Sequence, residues 1–182
     1  MKGVIFNLAE QVVCAEYGED TWDDLLEAAG LDGAYSSLGS YDDADLAKLV
    51  CAASEALQLS PNDIVRWIGC KSLPRMASAY PHFFLAHSTT RSFVLALNDI
   101  IHPEVRKLYP GADVPVFDFD TASEDILVVG YHSHRKMCAF AQGLVEGAAE
   151  HYREEVIFGH PLCMLRGDAR CEFHIQFRKQ GE

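Results

Sequence analysis

Apolar residues in the first half of the chain recur at helical spacing; in the last third they alternate. Val4, Ile5, Leu8, Val12 and Val13 mark one face of a helix running to about Tyr17, where Gly18 ends it. A short helix follows, capped by Thr21, running to Ala29 and closed by Gly30. Residues 33–40 form a loop, and a longer helix after Ser40 turns Leu46, Leu49, Val50, Ala53 and Leu57 inward. Ser60, Pro61, Asn62 and Asp63 open another helix, with a capping hydroxyl, a proline in the first turn and a carboxylate at the positive end of the dipole. It carries Ile64, Val65, Trp67 and Ile68, and Gly69 is expected to end it. A short helical piece then spans residues 73–80, ahead of Pro81. Ser88 caps a helix through Phe93, Val94, Leu97 and Ile101 to His102. Pro103 lacks an N–H and kinks or interrupts it before it resumes from Glu104 to Tyr109.

After Pro110 and Gly111 the period becomes two. Residues 114–121 and 124–130 predict a β-hairpin, 155–158 a strand, and Cys171 to Phe177 a strand with apolar and polar sides. A helix to about Tyr152 lies between them. The fold class is α+β: an N-terminal helical lobe, then a lobe with a largely antiparallel four-stranded sheet and packed helices. The chain of 182 residues is one domain, 1–182, with lobes of about 1–65 and 66–182.

Hydrophobic residues make up 49% of the chain, enough for a large core. A net charge of −12 argues against nucleic acid and anionic membrane surfaces, which need clustered Lys and Arg. No apolar run approaches a spanning helix. The N-terminus has one Lys, early acids and no small-residue cleavage site, so a cytoplasmic location is expected. There the six Cys are expected to be reduced or metal-bound.

Candidate chemistry gathers in two places. The first is Ile126 to Leu144: a buried strand to Gly130, a polar turn carrying Tyr131, Ser133 and Arg135, and a helix. Two hydroxyls and a guanidinium at i, i+2 and i+4 point the same way in an extended segment. The helix behind them adds free N–H donors and its positive dipole end. This arrangement grips carboxylates, which match the Arg fork bidentately, at the lip of an apolar pocket. The second is Cys138, His160, Cys163 and Cys171, spaced C-x21-H-x2-C-x7-C. Three Cys and one His form a closed tetrahedral set typical of structural zinc. Cys14, Cys51 and Cys70 have no close Cys or His partners and are expected in the core; His132, His134, His151 and His174 are given no role.

The run Tyr131-His132-Ser133-His134-Arg135 resembles the haem-propionate anchor of the H-NOX family (haem nitric oxide/oxygen binding domains), bacterial relatives of the soluble guanylate cyclase haem domain. The resemblance spans nearly the whole chain, from MKGVIFN to the final strand. It implies haem b between the lobes, held by His102 as proximal iron ligand and by Tyr131, Ser133 and Arg135 at the propionates. It also implies Pro115 pressing on the porphyrin, and Asp45 paired with Arg135 across the lobes. The distal wall is expected from Val4, Ile5 and Leu8, from Ser72 to Met76, and from Phe140, Leu144 and Val145. Oxygen-binding relatives carry a Tyr where this chain has Phe140. A phenyl ring donates no hydrogen bond, so the expectation is a nitric oxide sensor, also open to carbon monoxide, with little stable oxygen binding. Output is implied through release of His102, haem relaxation and a partner, a histidine kinase or a cyclic-di-GMP enzyme. No nucleophile–base pair stands out, and no enzyme activity is expected. Two alternatives remain: a zinc-stabilised module for another hydrophobic carboxylate, or a haem peroxidase-like catalyst.

Overall fold

The computed structural model describes residues 1–179; positions 180–182 of the expected domain lie outside the described residues. Its helices are α1 (Gly3–Tyr17), α2 (Glu19–Ala29), α3 (Asp43–Leu57), α4 (Pro61–Ala79), α5 (Pro81–Leu85), α6 (Thr90–Leu95), α7 (His102–Leu108) and α8 (Cys138–Tyr152). Its strands are β1 (Val116–Asp120), β2 (Ile126–His132), β3 (Glu154–Leu162) and β4 (Cys171–Lys179). The sheet is antiparallel throughout, in the order β1-β2-β4-β3. This is the expected α+β fold.

Two apolar cores result. One, beneath α1 to α4, holds Phe6, Val13, Trp22, Leu25, Leu49, Val50 and Ile64. The other fills the inner sheet face with Phe117, Leu127, Val129, Tyr131, Phe173 and Ile175. Helix α4 contributes Ile68 to the first and Leu73 to the second.

Several helix ends differ from expectation. Helix α3, expected after Ser40, begins at Asp43 behind the cap Asp42, whose carboxylate accepts from Ala44 N. Thr89 rather than Ser88 caps α6, and α2 begins before Thr21. Gly69 does not end α4, which runs on through Pro74 to Ala79. Helix α8 crosses α4 so closely that a Cβ on Gly69 would lie 2.6 Å from the Phe140 carbonyl oxygen. One on Gly143 would lie 2.0 Å from the Arg66 carbonyl oxygen. These glycines are there for close approach, not termination. Cys51 is exposed on α3, not in a core, and all six Cys are free thiols.

Candidate functional site

A cavity of about 440 Å³ opens between the two cores. Ile5, His102, Pro115, Tyr131, Ser133, Arg135, Phe140 and Leu144, all expected at the site, line this one space. The sequence separates them by up to 139 positions; the fold brings them together because α1, α4, α7, α8 and β2 converge there.

His102 stands at the first residue of α7, after a π-helical turn, Leu97–Ile101. In a straight α-helix the Pro103 ring would strike the carbonyl four residues back. The chain widens before that point instead: Ile101 N donates to Ala96 O at 3.1 Å, five residues earlier. The interruption therefore precedes His102 rather than starting at Pro103. Asn98, in the same turn, donates through Nδ2 to Phe117 O at 2.5 Å and accepts from Phe117 N at 3.1 Å. This double bond fixes the turn to β1, and the His102 ring stacks on Phe117 with centroids 5.7 Å apart. In sequence, Asn98 stands four residues before His102. The His102 Nδ1 atom is buried without a hydrogen-bond partner. Burial, reinforced by Arg106, holds the imidazole pKa down at about 4, with the Pro115 backbone pulling the other way. The ring is thus a neutral base, the form in which imidazole binds metals.

Tyr131 lies within β2, paired with Phe117 and Cys171, rather than in the turn. Its ring is 2% exposed, and burial pushes its pKa up to about 12. Ser133 and Arg135 occupy the turn, where Ser133 Oγ accepts from Arg135 N at 3.3 Å and Lys136 takes a left-handed φ of 52°. Arg135 bridges the two halves of the molecule. Its Nε donates to Asp43 Oδ2 at 2.8 Å, and its Nη1 to Asp113 Oδ2 at 2.7 Å and to Asp113 O at 2.8 Å. The cross-lobe partner is therefore Asp43; Asp45 pairs with Lys48 within α3. Asp113 gave no signal in the sequence beyond being one acid in a loop.

The opposite wall is hydrocarbon. Val4 and Ile5 from α1, Leu73 and Met76 from α4, and Phe140, Leu144 and Val145 from α8 form it. Leu8 and Ser72 turn away: both are buried but neither lines the cavity.

Behind the turn, the ligand atoms of Cys138, His160, Cys163 and Cys171 all lie within 4.8 Å of one another. Cys138 Sγ and Cys163 Sγ are 3.8 Å apart. A tetrahedron with ~2.3 Å zinc–sulfur arms has edges of about 3.8 Å, while a disulfide needs ~2.05 Å. His160 sits where the β3 register shifts between Gly159 and Leu162, and its Nε2 is buried without a partner. Arg166 holds the knuckle by donating to the carbonyls of His160 and Pro161. Burial and its sister thiols push the Cys138 pKa up to about 12. Buried thiols and an orphaned imidazole nitrogen make the donor set a four-coordinate metal requires.

Comparison with known proteins agrees with this geometry. The haem-NO-binding family model matches residues 2–160. An H-NOX protein from S. oneidensis, solved in the Fe(II)NO ligation state, is 31% identical with a TM-score of 0.92, covering 98% of this chain and 100% of its own. The Shewanella oneidensis H-NOX domain in the Fe(II)CO state is also 31% identical, with a TM-score of 0.88 and 100% coverage of both chains. An unliganded Fe(II) H-NOX protein from K. algicida, at 24% identity, shares the fold: its TM-score is 0.88, with 100% of this chain and 99% of its own covered. The chain belongs to the haem-NO-binding, or H-NOX, family, whose fold is that of a haem-binding gas sensor rather than an enzyme.

Proposed function

We propose that this chain is a nitric oxide sensor built on haem b. The observation that carries the reading is the asymmetry of one cavity. A buried neutral imidazole and a hydroxyl–hydroxyl–guanidinium group occupy one side, and hydrocarbon the other. His102 would hold the iron, Pro115 would touch the porphyrin, Tyr131, Ser133 and Arg135 would clasp the propionates, and Ile5, Phe140 and Leu144 would supply the hydrocarbon wall. When bound, ferrous haem would supply an iron centre that takes nitric oxide or carbon monoxide. His102 Nδ1 is buried without a partner, and the ring is held by stacking on Phe117 and by the Pro115 backbone. Release of His102 and relaxation of the lobes about the Arg135–Asp43 pair form the output. It passes to a partner in the cytoplasm, a histidine kinase or a cyclic-di-GMP enzyme. The hydrocarbon roof offers no acid or base for peroxide cleavage, which disfavours the peroxidase reading.

Zinc belongs to the same reading, held by Cys138, His160, Cys163 and Cys171. Its role is structural: the four ligands leave no open position.

The test is the absorption spectrum of reduced, haem-loaded protein with and without nitric oxide. A Soret band that shifts with nitric oxide and is altered in His102→Gly is expected. Protein that stays colourless with ample porphyrin, or a spectrum indifferent to His102→Gly, would refute the reading.

A further inference from the structure

We infer that Lys2 is a second carboxylate-binding residue of the cavity, taking the propionate that Arg135 has no capacity to hold. The inference rests on the haem reading above.

Arg135 is heavily engaged. Its Nε and Nη1 are committed to Asp43 and Asp113, and Nη2 alone has no protein partner among the described residues. One nitrogen with two hydrogens serves one carboxylate, and the expected bidentate fork is not free. Charge points the same way. Arg135 carries one positive charge against two carboxylates, Asp43 and Asp113. The Met1 ammonium, itself bonded to Asp43 and to the Tyr41 carbonyl, brings that group only to neutrality. The His134 ring also meets Asp113, with Nδ1 3.1 Å from Oδ2, and among the described residues Lys2 is the one further Lys or Arg on this wall to meet a second carboxylate tail.

Among the described residues, Lys2 and Arg135 are the only Lys or Arg side chains on the cavity wall. Lys2 is pinned by a backbone bridge to Ser40, and its Nζ donates to a neutral acceptor, the Leu38 carbonyl, at 3.1 Å. Nζ also lies 4.0 Å from where a side chain would begin on Gly111. Gly111 is two residues before Asp113, which holds Arg135, so both cations stand over one short stretch of the rim. Leaving one carbonyl for a carboxylate exchanges a neutral hydrogen bond for a charge-assisted one. Two cations on a common rim match two acids on a common edge of a porphyrin.

The experiment is transfer of haem from holoprotein to excess apomyoglobin, followed at the Soret band, for the parent, Lys2→Met and Lys2→Arg. The same series is run with haem dimethyl ester, which has no carboxylate. Lys2→Met should lose haem roughly twofold to fivefold faster than the parent, the upper part of the range of an exposed ion pair. Lys2→Arg should stay near the parent rate, and the ester should leave all three alike. Circular dichroism separates a fold defect, which would speed loss of both porphyrins. Equal loss of haem from parent and Lys2→Met overturns the inference, as does equal acceleration with the ester. A parent without a Soret band removes the haem reading beneath it as well.

Discussion

Under the proposed function, gas selectivity rests on one atom absent from Phe140. It lines the cavity beside Leu144 and Val145, and no hydroxyl or amide on α1, α4 or α8 faces the same space. A polar diatomic would find no proton there. Ferrous protein in air is therefore expected to form no persistent oxygenated spectrum, whereas Phe140→Tyr should acquire one. A stable oxygenated parent would reverse this conclusion. Asp43 carries a second residue-scale prediction. Burial works against its charge, but the Met1 ammonium and Arg135 outweigh it and hold its pKa below the ordinary carboxylate value. With the folded pKa depressed, the stabilisation is present above the unfolded value of ~3.9 and is lost as pH falls through the folded one. The side chain is 43% exposed, so screening keeps the effect small. Asp43→Asn should cost ~0.5–1 kcal/mol in urea unfolding at pH 7, with the gap closing below about pH 4. Equal midpoints at pH 7 would argue that the ion pair is idle. Asp42 caps α3 while Asp43 and Asp45 lie in its first turn, and composition cannot separate them; helix phase against the opposite lobe does.

At the scale of elements, most of the secondary structure was legible because its signals are local. Ser60 accepts from Asp63 N as its sequence context implied, and Gly30 closes α2 in the left-handed region. The misses share one cause. Gly69 resembles a helix end only when the helix is considered alone. With α8 laid across α4, Gly69, Gly143 and Gly147 are contact points. Likewise, Tyr131 belongs to β2 because Phe117 and Cys171 pair with it on either side. Gly143→Ala provides a test in which two effects oppose each other. Helix propensity favours Ala by ~1 kcal/mol, while overpacking against the fixed Arg66 carbonyl costs ~1–3 kcal/mol. We expect packing to win and Tm to fall by a few degrees; an unchanged or raised Tm would show that α8 does not seat this tightly.

Taken as a whole, the molecule is joined behind the cavity by the thiolate–imidazole cluster, which ties the start of α8 to β3 and β4. Removing a metal there would leave three buried thiols with only weak sulfur hydrogen bonds and the His160 Nε2 with no partner. A strong chelator should lower Tm by several degrees and release close to one equivalent of zinc. Less than a tenth of an equivalent in purified protein would end the zinc assignment. The sequence by itself determined the α+β class and the family, and it singled out the candidate side chains that the fold gathers at one cavity. Those properties reside in local periodicity and in short motifs such as Tyr131 to Arg135. Only the tertiary structure decided that Asp43 and Asp113 hold Arg135, that Asn98 clamps the turn before His102, and that Lys2 shares the rim with Arg135. Such pairings depend on the relative placement of residues 19 to 133 positions apart, which is set by packing of the two cores and leaves no periodic trace in the chain.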